Sequence, residues 1–509
     1  MILNIRALTN WLLALSSAAL LIVLFPGFNL VWLSPLALTP LLIACAREPG
    51  VWRRFLLGYA CGVVWWFGLC NWIQWTLAHH AGVGEVAAWL LLILFCLAKA
   101  IHMGLFALLA GTLLRTRWLA PAAIAALWVA LEWTNTWSGF EWLNLGNAGG
   151  DMSLLLRLAP FTGVWGLSFV FALMSAVIAV IILRRQRLAS AWLLLLLCLY
   201  VLPDLPAPQR GDKTAMVVQP NIDDETVWSP ELQLRTEKEL ALLSFSPVSD
   251  RSRNTDMIVW PEMPGPFYSD DPRFVSLVSE LAKAAHAGVL TGAVGRTAER
   301  VPLNSALLVG PEGAVISRYD KVKLVPFGEF VPWPLGALTQ KISTEAGDFE
   351  AGGTVVVSTV DQHRVGSFIC YESVFPGFIR KFVAGGAEAL FNISNDSWFG
   401  KSQARYQHLR IVRMRAAENR RWIVRATNDG VSAVIDPAGR VVRTAPEFIE
   451  TAARMPYSYR KDLTFYTRYG DWFVALCVLL TAGGLALSMI PVYSAGSKRE
   501  LRSPPESLR

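Results

Sequence analysis

The chain has little charge, and only one of its cysteines lies outside an apolar segment. Charged residues make up 17% of the 509 residues, whereas 54% are apolar and 21 are tryptophan, which is far from the composition of soluble proteins. Six of the seven cysteines lie within apolar runs, where a thiol is usually a small packing residue. The exception is Cys370. A domain with one cysteine forms no internal disulfide, so this thiol is a candidate reactive group.

Further observations disfavour four classes of protein. The sequence has no H-E-x-x-H metal motif and no phosphate-binding glycine loop. The net charge of +7 comes from arginines in short loops and from a basic tail rather than from one continuous face, so no nucleic-acid partner is expected. A cysteine protease is disfavoured because His286, His363 and His408 have no motif partner.

Apolar runs of about 20 residues, the length that spans a bilayer as a helix, repeat as far as Leu205. They predict an integral membrane α-helical bundle, with seven spans before a more polar segment and an eighth after it. The first run could pass for a signal peptide, but six more follow it closely, so we expect it to stay uncleaved. The eight predicted spans lie roughly at 8–25, 29–46, 55–77, 85–114, 118–134, 161–183, 190–205 and 472–491.

Basic residues in the loops predict the orientation of these spans. Arginines follow the second, fourth, sixth and eighth runs, whereas the loops after the first and third carry no lysine or arginine. Because basic loops stay cytoplasmic, we expect both termini inside and the polar segment outside. The predicted units are a seven-helix membrane domain (1–207), a catalytic domain (208–470), an eighth transmembrane helix (471–492) and a cytoplasmic basic tail (493–509).

The polar segment alternates short β-branched runs with helical stretches, which predicts a layered α/β domain whose site lies at strand ends. The predicted strands are Ala215–Val218, Met257–Trp260, Val289–Val294, Ala306–Val309, Val355–Thr359, Arg364–Ile369, Ala389–Ile393, Trp422–Ala426 and Ser432–Ile435. The predicted helices are Pro230–Leu243, Pro272–Ala287, Pro376–Ala384 and Ala404–Asn419.

Cys370 lies where one of these strands ends, and Tyr371 and Glu372 follow it. A strand-to-turn junction exposes a side chain on a rigid backbone, as a nucleophile requires. The alternative is a buried structural thiol, the commoner fate of a free cysteine. The polar neighbours and the lack of any other cysteine in the polar segment favour the nucleophile.

Glu262 and Lys321 are candidates for the base and the cation that would act with the Cys370 thiol. Glu262 follows Trp260-Pro261 at a strand end and is a candidate general base, unless it is a solvated loop carboxylate. Lys321 could stabilise an oxyanion, whereas Lys323 is expected to be solvated. Glu329 would either hold Lys321 in place or line the thiol pocket.

These motifs, in this order, resemble the Glu-Lys-Cys triad of the carbon–nitrogen hydrolase (nitrilase) superfamily. Leu324–Glu329 (LVPFGE), Ile369–Glu372 (ICYE) and Asn392–Phe399 (NISNDSWF) resemble one branch of it, the bacterial apolipoprotein N-acyltransferases. The resemblance covers the whole chain, because that family also places its nitrilase-like domain between a seventh and an eighth span.

The resemblance implies that Cys370 is the nucleophile, Glu262 the general base and Lys321 the oxyanion stabiliser. Supporting roles are implied for Glu329, Tyr371, Glu372 and, on a mobile loop, Trp228. The implied fold is an α-β-β-α sandwich, and the implied reaction is ping-pong and needs no metal or nucleotide cofactor.

The resemblance also implies the substrates and the location. The thiolate takes the sn-1 acyl chain of a phospholipid, usually phosphatidylethanolamine, and passes it to the N-terminal amine of a diacylglyceryl-cysteine lipoprotein. The implied location is the inner membrane, with the catalytic domain on the periplasmic side. Nothing in the sequence requires more than a monomer.

One region departs from the family pattern. The family tends to show Glu-x-x-Arg and then Gly-Phe-Pro-Trp around the fifth span, whereas this chain has Glu132–Asn135 (EWTN) and Gly139–Trp142 (GFEW). A headgroup role for that loop is therefore not carried over. Lys99 and His102 fall within the fourth predicted span, where charged residues usually face a protein or watery interior, and no role is assigned to them.

Other polar and aromatic residues lie near the expected mouth of the site. Asn395 and Asp396 are expected to order a loop through side-chain to backbone bonds. Five aromatic residues either hold acyl chains, anchor the domain at the interface or pack within it: Phe327, Phe330, Trp333, Trp398 and Phe399.

Two rival functions remain open at this point. A membrane-tethered amidase would share the triad but finish with water, and eight spans would then be a large anchor. A transporter or lipid-binding scaffold with an inactive domain would be favoured by loss of a triad residue, and all three residues are present.

Overall fold

The computed structural model describes residues 5–80, 83–183, 187–223, 226–245, 255–330 and 349–489. Its helices before the polar segment are α1 (Ile5–Val23), α2 (Thr39–Arg47), α3 (Val51–Cys70), α4 (Trp72–His80), α5 (Glu85–Leu113), α6 (Ala120–Trp133), α7 (Ser153–Leu156), α8 (Ala159–Thr162) and α9 (Val164–Ile182). Later helices are α10 (Pro230–Ser244), α11 (Pro272–Ala285), α12 (Pro376–Ala384), α13 (Ala404–Asn419), α14 (Phe465–Tyr469) and α15 (Trp472–Met489).

Several helices are long and apolar enough to span a membrane. Within the described residues, α1, α5, α9 and α15 pass this test individually, and α3 and α4 pass it as a pair bent by 56°. The second, fifth and seventh predicted spans coincide with shorter elements, namely α2, the 14-residue α6 and a 3₁₀ helix at Arg187–Tyr200. The structure thus supports a membrane bundle but does not establish the predicted number of eight spans.

The polar segment folds into two six-stranded sheets. The strands are β1 (Lys213–Gln219), β2 (Met257–Val259), β3 (Gly288–Arg296), β4 (Pro302–Val309), β5 (Val315–Asp320), β6 (Val357–Val360), β7 (His363–Ile369), β8 (Ala389–Ser394), β9 (Ile423–Thr427), β10 (Ala433–Ile435), β11 (Val441–Thr444) and β12 (Thr451–Tyr457). Their orders are β12-β1-β2-β3-β4-β5 and β11-β10-β9-β8-β7-β6. Neighbours β1, β2 and β3 are parallel, as are β7, β8 and β9.

The two sheets pack face to face with helices outside them, as the α-β-β-α prediction requires. Leu290 and Leu308 of the first sheet share a buried core with Val365 and Phe391 of the second. Helices α10 and α11 bury apolar side chains against the outer face of the first sheet. Helix α12 covers the second sheet, where Phe382 lies against its strands. Apolar residues on both faces of each sheet explain the continuous β-branched runs.

The strands that the sequence did not predict all lie at sheet edges. Every predicted strand coincides with an observed one, and the four predicted helices of this domain were found with ends within two residues. The missed strands β5, β11 and β12 each end a sheet. An edge strand is partly solvated, as the exposed side chains of β11 and of the first part of β5 show, so its sequence lacks an apolar run.

The domain that contains the two sheets forms hydrogen bonds with the helices of the membrane bundle through its helix α13. Arg410 donates to Asp151 over 2.9 Å, and the indole of Trp142 donates to the side-chain oxygen of Gln407 over 2.7 Å. Both helix residues are buried. The site at the strand ends therefore has a fixed position relative to the apolar helices.

Candidate active site

The three predicted catalytic residues come from the ends of three strands. Glu262 follows β2 and Lys321 follows β5 in one sheet, whereas Cys370 follows β7 in the other. All three are buried, with exposed fractions of 5%, 1% and 8%. Because the sheets face each other, the carboxylate and ammonium of one sheet reach the thiol of the other. The alternative that Glu262 is a solvated loop carboxylate is wrong, because its side chain is buried, as is that of Lys321.

A ring of hydrogen bonds joins Lys321 to two carboxylates. Its ammonium donates to Glu262 Oε1 and to Glu329 Oε1, each over 2.9 Å. The amide of Asn304 donates to the same two oxygens over 2.7 and 2.6 Å. Burial lowers the pKa of Lys321, but the charges of Glu262 and Glu329 outweigh it and hold that pKa above its ordinary value. We call these four residues the carboxylate cluster.

The turn that carries Glu262 depends on a close backbone approach. A side chain at Gly292 of β3 would place its Cβ 2.3 Å from the nitrogen of Met263, so only glycine fits there. The second oxygen of Glu262, Oε2, accepts from the backbone nitrogen of Asn395 over 2.9 Å. Both carboxylate oxygens are thus held in place.

Cys370 begins a tight turn at the end of its strand. Its φ of 47° lies in the left-handed region, and a 3₁₀ helix runs from Cys370 to Val374. Burial and then the charge of Glu262 raise the pKa of the thiol, whereas Lys321 and a hydrogen bond with Ser394 lower it, and the net result lies above the ordinary value. The resting thiol is therefore neutral, and its attack requires a base.

Glu372 ties the nucleophile strand to the lysine segment. Its Oε2 accepts from the nitrogen of Ile369 over 2.8 Å. Its Oε1 accepts from the Tyr319 hydroxyl over 2.6 Å and from the nitrogen of Val322 over 2.8 Å. Burial raises the pKa of Glu372 to about 7, although these hydrogen bonds act in the opposite direction. This residue joins the two sheets beside the site.

Tyr371 and Trp228 occupy different surroundings. The Tyr371 hydroxyl donates to the carbonyl oxygen of Gly139, in the loop after α6, over 2.6 Å. Trp228 packs edge-on against Phe267, with 6.3 Å between ring centroids. The first contact connects the nucleophile turn to the membrane bundle. The second does not bring Trp228 to Cys370.

A second buried cluster lies behind the nucleophile, and the sequence did not reveal it. Arg425 donates to both oxygens of Asp396 over 2.6 and 2.7 Å. His408 Nε2 lies 3.1 Å from the carbonyl oxygen of Cys370 and 2.8 Å from Ser373 Oγ. We call these residues, Ser373, Asp396, His408 and Arg425, the arginine cluster.

One sequence interpretation in this region needs correction, and one residue was missed. Asp396 was expected to order a loop, but it forms a buried ion pair with Arg425; burial raises its pKa, yet the charge of Arg425 outweighs this and holds the pKa below its ordinary value. Asn395 does order the loop, through its side chain and the nitrogen of Ser397. Asn304 was missed because a polar residue inside a strand gives no sequence signal.

The five aromatic residues of the expected mouth do not share one role. Phe399 is buried and packs against Trp72 and Trp142. Trp398 stacks on His80 of α4, with 4.9 Å between ring centroids. Phe327 and Phe330 are half-buried, and Trp333 lies outside the described residues.

Family models match both parts of the chain. The model described as the apolipoprotein N-acyltransferase N-terminal domain matches residues 17–177, and the carbon-nitrogen hydrolase model matches residues 214–456. Among solved structures, the carbon-nitrogen hydrolase from Helicobacter pylori G27 aligns with 48% of this chain and 89% of its own, at 18% identity and a TM-score of 0.38. That likeness is too distant to carry any statement about function.

Whole-length relatives share one name. The apolipoprotein N-acyltransferase of Geobacter metallireducens is 34% identical and aligns with 94% of this chain and 95% of its own. Those of Azotobacter vinelandii and Pseudomonas putida are 33% and 32% identical, over 93% and 94% of this chain and 94% and 97% of theirs. With its apolar helices and nitrilase-like α/β domain, the chain is a membrane protein that belongs to the apolipoprotein N-acyltransferase family.

Proposed function

We propose that this chain transfers an acyl chain from a phospholipid to the N-terminal amine of a diacylglyceryl-cysteine lipoprotein, through a thioester on Cys370. The observation that carries the proposal is that Cys370, Glu262 and Lys321 are buried together at the strand ends of a domain fixed to a bundle of apolar helices. A lipid-embedded donor explains why the cleft lies on such a bundle.

In the first half-reaction, Glu262 takes the proton of the Cys370 thiol as the sulfur attacks the ester carbonyl. A base is needed because the thiol is neutral at rest. Lys321 stabilises the oxyanion of the tetrahedral intermediate; two of its donors bind carboxylates, and the third has no acceptor among the described residues and would bind the substrate. Collapse of the intermediate forms the thioester, and Glu262 returns its proton to the departing lysophospholipid alkoxide.

In the second half-reaction, the neutral amine of the lipoprotein attacks the thioester. Glu262 takes a proton from the amine, Lys321 again stabilises the oxyanion, and the amide forms as the carbon–sulfur bond breaks. The proton then passes to the thiolate and restores the resting enzyme. Glu329 accepts from Lys321, and Asn304 donates to both Glu262 and Glu329, so these two residues hold the base and the cation in place throughout.

The proposal includes the partners and the location. The donor is a phospholipid such as phosphatidylethanolamine and the acceptor a diacylated apolipoprotein, with no nucleic acid and no cofactor. We place the chain in the inner membrane as a monomer with eight spans, the catalytic domain on the periplasmic side and both termini in the cytoplasm. The alternation of basic and non-basic loops supports this orientation.

Trapping of the thioester tests this function. Purified protein in detergent is incubated with phospholipid labelled in its sn-1 chain, and the label should appear on Cys370 and be released by hydroxylamine. Cys370→Ser should take no hydroxylamine-sensitive label while keeping the unfolding temperature of the wild type. Label on another residue, or none from any phospholipid, would refute the proposal.

The amidase alternative is separated from transfer by the acceptor. The carbon-nitrogen hydrolase match to residues 214–456 is also what a hydrolase would show. Addition of a diacylated lipopeptide to the labelled enzyme should move the label to the peptide amine. Release as free fatty acid at an unchanged rate would favour hydrolysis.

A further inference from the structure

Lys99 is a buried ammonium whose hydrogen bonds all go to uncharged acceptors of one loop. It lies on α5 with an exposed fraction of 5%. Its Nζ donates to Asn135 Oδ1 over 2.6 Å, to Ser138 Oγ over 3.1 Å and to the carbonyl oxygen of Phe140 over 2.9 Å. These bonds use all three donors of the ammonium. A charged donor in such surroundings forms strong hydrogen bonds.

Lys99 is the side chain that joins the two ends and the middle of the loop from Asn135 to Phe140. Ser138 also donates to the carbonyl of Asn135 over 2.8 Å, so the lysine bonds bridge the start, middle and end of one turn. The Lys99 ammonium lies 5.7 Å from the centroid of the Phe140 ring as well. Gly139, in the same turn, has a φ of 70°. The direction of its carbonyl is therefore set by residues that Lys99 holds.

That carbonyl is the acceptor for Tyr371, the residue after the nucleophile. The Tyr371 hydroxyl lies 2.6 Å from the Gly139 oxygen, and its ring packs against Phe140 with 6.3 Å between centroids. Tyr371 is buried and shares the tight turn of Cys370. A shift of the Asn135–Phe140 loop would move Tyr371 and with it Cys370, because the two residues are adjacent in the backbone.

We propose that Lys99 is a positioning residue for the nucleophile. It fixes the Gly139 carbonyl, which fixes Tyr371 and so the Cys370 turn, and it thereby couples helix α5 of the membrane bundle to the reactive thiol. The inference rests on the proposed function for its main readout, which is the rate at which Cys370 becomes acylated.

The test is a double-mutant cycle on single-turnover acylation by labelled phospholipid. Lys99→Met removes the three donors at similar size, and Tyr371→Phe removes the bond to Gly139. Lys99→Met should lower the rate at saturating lipid by about tenfold or more, as small misplacements at reacting atoms do. The half-saturating lipid concentration should stay unchanged. In the double variant the loss should not exceed that of the more severe single variant, because both changes break one chain of contacts.

Two controls accompany the cycle. His102→Gln alters the same helix one turn away, where the imidazole bonds to Thr134 Oγ1 over 2.9 Å and not to Asn135–Phe140, and it should acylate at the wild-type rate. Lys99→Arg keeps a cation with several donors and should recover part of the lost rate. If Lys99→Met does not accumulate as folded protein, Ser138→Ala is measured in its place and should also slow acylation.

Two results would overturn the proposal. One is a wild-type acylation rate for Lys99→Met or, if that variant does not fold, for Ser138→Ala. The other is a double variant whose loss of acylation rate equals the product of the losses in the two single variants. Alkylation of Cys370 by iodoacetamide needs no lipid and separates this proposal from the proposed function. If the wild type takes no label but Lys99→Met still changes the alkylation rate, the positioning role stands and the function fails.

Discussion

The two buried clusters beside Cys370 differ in charge balance and in what they touch. The carboxylate cluster combines two carboxylates with one ammonium, whereas the arginine cluster pairs one carboxylate with one guanidinium. The charges of Glu262 and Lys321 in the first cluster affect the pKa of the thiol more strongly than the charge of Asp396 in the second. The nearest bond of the second, from His408, reaches only the backbone carbonyl of Cys370.

This difference indicates that the carboxylate cluster takes part in the reaction and that the arginine cluster holds the backbone in place. A cluster with an excess of carboxylate has an oxygen available to accept a proton, which a general base requires. A balanced, buried pair has no such surplus and contributes by holding the backbone in place. We therefore expect changes in the carboxylate cluster to reduce the rate and changes in the arginine cluster to reduce stability.

Loss of the base should have the largest effect on rate. Glu262→Gln keeps the size of the side chain but cannot accept the thiol proton, so acylation of Cys370 should slow by about 10²–10⁴. Single-turnover labelling gives the rate. The unfolding temperature should change little, and a variant that acylates at the wild-type rate would assign the base elsewhere.

Breaking the ion pair of the arginine cluster should mainly affect folding. Asp396→Asn leaves Arg425 buried without its charge partner and should lower the free energy of unfolding by about 3–5 kcal/mol. Thermal unfolding in detergent measures this loss. The rate per folded molecule should fall less than in Glu262→Gln; the opposite ranking would break the distinction between the clusters.

The pH dependence of thiol alkylation should separate the clusters without any lipid substrate. Because burial and Glu262 hold the pKa of Cys370 above its ordinary value, the thiolate fraction keeps rising with pH. Alkylation by iodoacetamide should therefore increase through about pH 9 without a plateau. Glu262→Gln removes a charge that raises this pKa and should shift the profile to lower pH. His408→Gln should leave it in place.

The smallest effect is expected at His408. His408→Ala removes the donor to the Cys370 carbonyl, whose net contribution is about 1 kcal/mol, or roughly fivefold in rate if it acts on acylation alone. His408→Gln offers an amide donor near the position of Nε2 and should retain most of the activity. Equal losses in the two variants would show that the hydrogen bond is not what matters at this position.

Much of the fold was predictable because local patterns specify it. Continuous β-branched runs revealed the buried strands, and proline at the first turn marked three of the helices that were found. The edge strands β5 and β11 were missed since solvated positions interrupt their apolar pattern, and β12 was missed because its sequence, TAARMPY, contains no β-branched apolar residue and includes an arginine and a proline. The structure does not establish the number of spans, because three of the predicted spans coincide with described elements that are too short to pass as single crossings.

The site followed a similar rule. Glu262 and Cys370 each follow a predicted strand, and Lys321 lies between them in sequence, so the types and order of the three residues revealed them. Asn304 lies inside strand β4 and Lys99 inside an apolar helix, and their contacts come from residues distant in sequence. No local pattern specifies such contacts, and only the packed structure brings them together.

In the proposed reaction, Cys370 passes an acyl group from a membrane lipid to an amine. The most direct measurement is a chase: the enzyme is first labelled from sn-1-labelled phospholipid, freed of excess donor and then mixed with a diacylated lipopeptide. We predict that the label leaves Cys370 and appears as an amide on the peptide N-terminus, faster than it is released in buffer alone. Label that never reaches Cys370, or that leaves it only as free fatty acid when the peptide is present, would contradict acyl transfer through Cys370 to an amine.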